Sequence, residues 1–243
     1  MNLLRSCTMI LLLPLTFLMS TMSAHGALAT YTNEAAFNAA LATASLTPKT
    51  LNFDSITAGT TFSDPSTIGG ITFSNLGGGA NPTTLLVDDQ FVTTSGSNYL
   101  ATPNPATANQ FIGGHMMNMS FAASNAISLK IVTNEVPGTS LFTNDIQLSA
   151  GGGSVAIDQN AGSIITPGNT DQEFFLGLYD PMATFTTASL EYDMAALESV
   201  LFNIDDITVA VPEPSAVLFL GLLCVLSGGR TYLKKRKQVA TCS

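Results

Sequence analysis

The chain has 243 residues, 46% of them hydrophobic, a formal net charge of −9, 3 cysteines, 2 histidines and no tryptophan. That length suits one all-β domain with targeting segments attached. The acidic balance excludes nucleic acid as a partner, since that needs basic patches, and the scarcity of Cys and His excludes a soft-metal centre.

The N-terminus reads as a signal peptide over residues 1–29. Arg5 supplies the positive start, Met9 to Met19 an apolar stretch broken by Pro14 and Thr16, and Ala27-Leu28-Ala29 a small-residue cleavage site before Thr30. Cys7 leaves with the signal, and Cys224 and Cys242 lie near the other end, so the exported body, residues 30–210, has no cysteine. Its stability must come from burial rather than disulfides. Lys49 and Lys130 are its only cations, against 16 of the chain's 17 acidic residues, a formal net of −14.

Thr32 to Leu41 predicts one short helix: Thr32 or Asn33 caps it, Glu34 suits its first turn, its alanines favour helix, and Phe37 and Leu41 share a face. Pro48 is expected to close the link to the next element. Short runs with period-two alternation follow, divided by Gly, Asn, Asp, Pro and Ser, and predict an antiparallel β-sandwich. Leu51 with Phe53, Ile71 with Phe73, Met117 with Met119 and Phe121, and Ile127 with Leu129 and Ile131 each share a face. Ile146 with Leu148 and Val155 with Ile157 flank Gly151-Gly152-Gly153 as a hairpin. Phe174 to Tyr179, and Leu190 with Tyr192, continue the pattern.

In the last strand Val200, Phe202 and Ile204 share one parity and Ile207, Val209 and Val211 the other. The inward face changes phase at Asp205-Asp206, which predicts a β-bulge there or a bend between two shorter strands.

Residues 211–237 change character. Val211-Pro212-Glu213-Pro214 stops the strand, Ala216 to Gly229 is an uncharged run of 14 residues, and Arg230, Lys234, Lys235, Arg236 and Lys237 form a cationic stop before the tail 238–243. Tyr232 and Leu233 at the interface, with Arg230 snorkelling, extend the run to about 18 residues, enough for a transmembrane helix. Cations behind it keep this end cytoplasmic and the body outside. A buried core helix leaves unexplained why five of the chain's eight Lys and Arg residues fall between Arg230 and Lys237.

That order of Pro-Glu-Pro, apolar helix and terminal basic cluster resembles the PEP-CTERM sorting signal of bacterial exported proteins. The resemblance covers about the last 30 residues. It implies recognition at Val211, Pro212, Glu213 and Pro214 by an exosortase-like membrane protease and transpeptidase, transient anchoring in the inner membrane, and association with the cell surface and exopolysaccharide after processing. Leu51-Asn52-Phe53-Asp54-Ser55, Gly69 to Ser74, Phe174 to Asp180 and Phe202 to Val209 also resemble the jelly-roll ectodomains of such proteins and carbohydrate-binding modules. By position, that likeness implies a structural calcium at Asp54, Asp205 and Asp206, a hard cation suited to carboxylate oxygens.

No enzyme is expected. No G-x-S-x-G elbow, H-E-x-x-H helix or cysteine nucleophile occurs in the body, and His115 stands alone in a Gly-rich loop. The leading reading is a structural or adhesive surface protein. A carbohydrate-binding module for extracellular polysaccharide is the alternative, with Tyr99, Tyr179 and Tyr192 as aromatic platforms. A hydrolase would use a carboxylate pair, Asp171 with Glu173 or Asp88 with Asp89.

Overall fold

The computed structural model describes residues 27–74, 84–103, 109–111, 116–133, 143–158, 160, 162–164, 171–192 and 201–212. The apolar segment of the signal, His115, Glu213, Pro214, the C-terminal apolar run and its cations lie outside these residues. No helix among the described residues is long and apolar enough to cross a membrane.

Helix α1, Glu34–Thr43, starts where the Asn33 side chain accepts the Ala36 amide at 2.9 Å, with Glu34 in its first turn. Phe37 and Leu41 are buried, and Phe37 packs its ring 5.4 Å from Phe175 and 5.5 Å from Tyr31. The helix sits this close because Gly177 lies beneath it: a Cβ there would meet the Phe37 ring at 2.8 Å.

The rest is β-structure in two antiparallel sheets. The nine-stranded sheet runs β1 (Ala29–Tyr31), β13 (Gln172–Tyr179), β9 (Ala126–Thr133), β15 (Phe202–Pro212), β7 (Tyr99–Ala101), β6 (Thr84–Asp88) and β3 (Thr61–Ser63), with β12 (Ser163–Ile164) beside β13 and β2 (Leu46–Leu51) beside β15. The six-stranded sheet runs β11 (Gly153–Ala156), β10 (Ile146–Ala150), β14 (Phe185–Tyr192), β8 (Met116–Ser124), β5 (Ile71–Ser74) and β4 (Ser66–Ile68). Residues from both sheets form one core, among them Phe73, Met119, Leu148 and Leu190 from the smaller sheet and Leu129, Ile131, Leu176 and Ile204 from the larger. This is the β-sandwich that the alternating pattern predicts.

The Gly151-Gly152 hairpin joins β10 to β11 with Leu148 opposite Val155. Two expectations need correcting. Pro48 does not close a link but lies within β2, opposite Ala210; the Ala210 carbonyl turns to the other side and accepts the Asn125 amide, so the two face each other as a non-hydrogen-bonded pair and the missing amide costs no bond to β15. Phe53 is buried but lies beyond the end of its strand, because β2 stops at Leu51.

Strand β15 is the hinge of the larger sheet. It pairs with β9 along one side; on the other, Ile204 pairs with Leu100 of β7, and Ile207 to Pro212 pair with β2. The register against β9 shifts between Asp205 and Thr208, and Asp206 takes a φ of 46°, so the expected bulge is present. It falls where β15 exchanges one partner strand for another.

Candidate functional site

Two places in the sandwich gather polar chemistry. The first is built on the bulge. In the gap between β7 and β2, the loop 92–98 crosses close to β15, and three carboxylates hold it. Asp205, fully buried, accepts through Oδ2 from the Thr94 amide at 3.0 Å, the Thr94 hydroxyl at 2.8 Å and the Ser95 amide at 3.1 Å. Asp206 accepts from the Ser95 hydroxyl at 2.8 Å. Asp54, just past the end of β2, accepts from the Ser97 and Asn98 amides at 2.8 and 3.2 Å. Gly96 has a φ of +57°, and an added Cβ would collide with the Asp54 carboxylate, so the approach requires glycine.

Behind Asp206 stands Lys130 of β9, whose Nζ lies 3.4 Å from Asp206, 3.2 Å from Glu34 and 3.7 Å from Glu173. Burial alone would lower its pKa, but the charges of Glu173, Glu34 and Asp206 outweigh it and raise the ammonium above its usual range. Burial raises Glu173, against the pull of Lys130, and burial with the neighbouring Asp206 charge raises Asp205 against its Thr94 and Ser95 donors.

The three carboxylates named from the sequence therefore converge on one loop. As a calcium cage they fit poorly: amide and hydroxyl donors occupy Asp205 and Asp54, and Asp206 already faces an ammonium. No group of three or more His, Cys, Asp or Glu side chains among the described residues is arranged to hold a metal. The arrangement fits a loop clamp with Lys130 as its internal cation.

The second place is a trough of about 740 Å³ on the outer face of the six-stranded sheet. Strand register sets Ser74, Asn118, Ser189, Ser149 and Ser154 side by side across five strands. At about 4.8 Å per strand the row spans roughly 19 Å. Thr72, Ser120 and Thr187 form a parallel row. None of the lining residues is charged or aromatic. Single serines in a strand carry no signal, so the row is visible only once register is known.

The remaining candidates fall elsewhere. Tyr99 and Tyr192 are buried and offer no face to a sugar; burial and the Asp88 charge hold the Tyr99 phenol well above its normal range. Tyr179 packs against the cluster around Phe37. Glu173 is engaged by Lys130, Asp171 is buried at the start of β13, and Asp88 accepts from Asn109 Nδ2 at 3.0 Å. Val211 and Pro212 still belong to β15, opposite Thr47 and Leu46. Ala29 pairs with Tyr179 in β1, while Ala27 lies exposed just ahead of it. No protein-family model matches the chain, and no curated protein is significantly similar to it.

Proposed function

We propose that this is an exported, surface-displayed structural or adhesive protein, sorted by a PEP-CTERM signal at Val211 to Pro214 and processed there by an exosortase-like membrane enzyme. The observation that carries the reading is the junction. The last ladder pair of β15 is Pro212 with Leu46, and the uncharged run begins only four residues later, at Ala216, with the cations behind it. In the sequence, Glu213, Pro214 and Ser215 are all that separates that pair from the uncharged run. In this reading the sandwich is a jelly-roll ectodomain outside the cytoplasmic membrane, and its acidic surface keeps it soluble there.

Mass spectrometry of the C-terminus recovered from cells with such an enzyme tests this. The native chain should lose everything beyond the motif, whereas the triple variant Pro212→Ala, Glu213→Ala, Pro214→Ala should retain Ser243. Identical C-termini would refute the assignment.

The trough favours a second reading, a module for neutral extracellular polysaccharide. A bed of hydroxyl and amide groups whose nearest charge is the Glu191 carboxylate, 3.2 Å from the Ser189 hydroxyl, in a body with a net of −14, matches a neutral polyol better than an anion. Retention on an insoluble neutral polysaccharide should fall at least tenfold in the double variant Ser149→Phe, Ser189→Phe, which fills the trough. Unchanged retention would remove the trough from the account.

A further inference from the structure

Both ends of the folded body leave it at one pole. Strand pairing sets Ala29, Tyr179, Ala126, Ala210 and Pro48 in a single row across β1, β13, β9, β15 and β2. Alternation of direction along that row means that β1 enters the body at this pole and β15 leaves it there, three strand spacings or about 14 Å apart. From Pro212 to Ala216 the chain reaches at most about 14 Å.

The pole is built to present apolar side chains. Asn125 donates from Nδ2 to the carbonyls of Asp180 and Ala183 at 3.0 and 2.9 Å, and the Asp180 carboxylate accepts the Met182 and Ala183 amides at 2.8 and 2.9 Å. This turn projects Met182, which is 44% exposed; Val211, 37% exposed, follows Ala210 of the row. Among the described residues these two are the exposed large hydrophobics. Apart from Asp180 in this turn, the acidic side chains of the paired strands lie further off. Asp205 is opposite Lys130 and Glu173 opposite Val132, four and six residues along β9 from Ala126, while Glu191 is six residues along β14 from Phe185. Lys49, on β2, adjoins the row.

We infer that this pole is a membrane-facing surface, resting against the lipid headgroups of the anchored protein with Met182 and Val211 in the interface. The inference rests on the anchoring reading above. It adds an orientation that anchoring alone does not require: anionic headgroups repel the acidic half and tolerate the pole, where Asp180 is spent on its own turn and Lys49 is at hand.

The test uses the full chain with Cys7, Cys224 and Cys242 changed to Ser, reconstituted in phosphatidylcholine and phosphatidylglycerol vesicles that carry a headgroup nitroxide. A fluorophore is placed at Met182→Cys or, on the same loop, at Thr184→Cys, and compared with Ser63→Cys. Ser63 is exposed and paired with Thr84 toward the opposite pole, on the order of 30 Å away by strand register. Quenching should be at least threefold stronger at Met182 and Thr184 than at Ser63. Equal quenching in a chain that floats with the vesicles overturns the membrane-facing pole and leaves anchoring intact. A chain that does not float overturns anchoring, and this inference with it.

Discussion

Asp205→Ala is expected to destabilise the chain by about 3 kcal/mol, the summed effect of stranding two amide donors and a hydroxyl at about 1–3 kcal/mol each, less what the loop recovers from water. The Thr94 and Ser95 amides and the Thr94 hydroxyl all converge on Asp205 Oδ2, and Asp205 is fully buried. With no tryptophan in the chain, urea unfolding followed by far-UV circular dichroism is the suitable measurement. Asp205→Asn keeps an acceptor and should cost about 1 kcal/mol. A loss below about 1 kcal/mol in Asp205→Ala would show that the loop is not held from β15.

The pH dependence of this pair has a defined sign. Burial and the adjacent Asp206 raise the folded pKa of Asp205 above its unfolded value. The folded state then binds the proton more tightly, so this group's stabilisation is complete below the unfolded value, near 3.9, and is lost as pH rises from there through the folded pKa. Glu173, also raised, acts in the same direction. The stability advantage of the native chain over Asp205→Asn should therefore narrow as pH climbs through that window.

Much of the sandwich is legible in residue order, because a half-buried strand must alternate. Ile146, Leu148, Val155 and Ile157 mark their hairpin, and the parity change after Ile204 marks the bulge before any coordinate is known. What that bulge accomplishes is not legible. Nothing in Thr93 to Asn98 announces a loop clamped by three carboxylates, since threonine, serine and asparagine are ordinary turn residues; only the exchange of β7 for β2 along β15 opens the gap they fill. Tyr99 shows the opposite failure: an aromatic beside Asn98 reads as a surface platform, yet it lies in a strand buried by its neighbours. The hydroxyl row on the smaller sheet depends on pairings between residues far apart in the chain, Ser74 with Asn118 and Asn118 with Ser189, which no local pattern encodes.

The second large effect concerns location, and it is close to all-or-none. On the anchoring reading proposed above, a helix that spans the hydrocarbon core inserts with an affinity no peripheral contact approaches, and the cations at Arg230 and Lys234 to Lys237 would oppose passage of the C-terminus. On that reading a chain without those residues ends at Pro212, the last residue of β15, and no helix among the described residues is long and apolar enough to cross a membrane in its place.

The decisive measurement is fractionation of two chains in an exporting bacterial host that lacks an exosortase-like enzyme, one intact and one ending at Pro212, followed by protease added from outside to spheroplasts. The intact chain should stay with alkali-washed membranes, its sandwich open to the protease and a tag after Ser243 protected. The shortened chain should appear in the soluble exported fraction. If both distribute alike, or if the tag of the intact chain is digested while the sandwich is protected, the anchored and outward-displayed arrangement is contradicted.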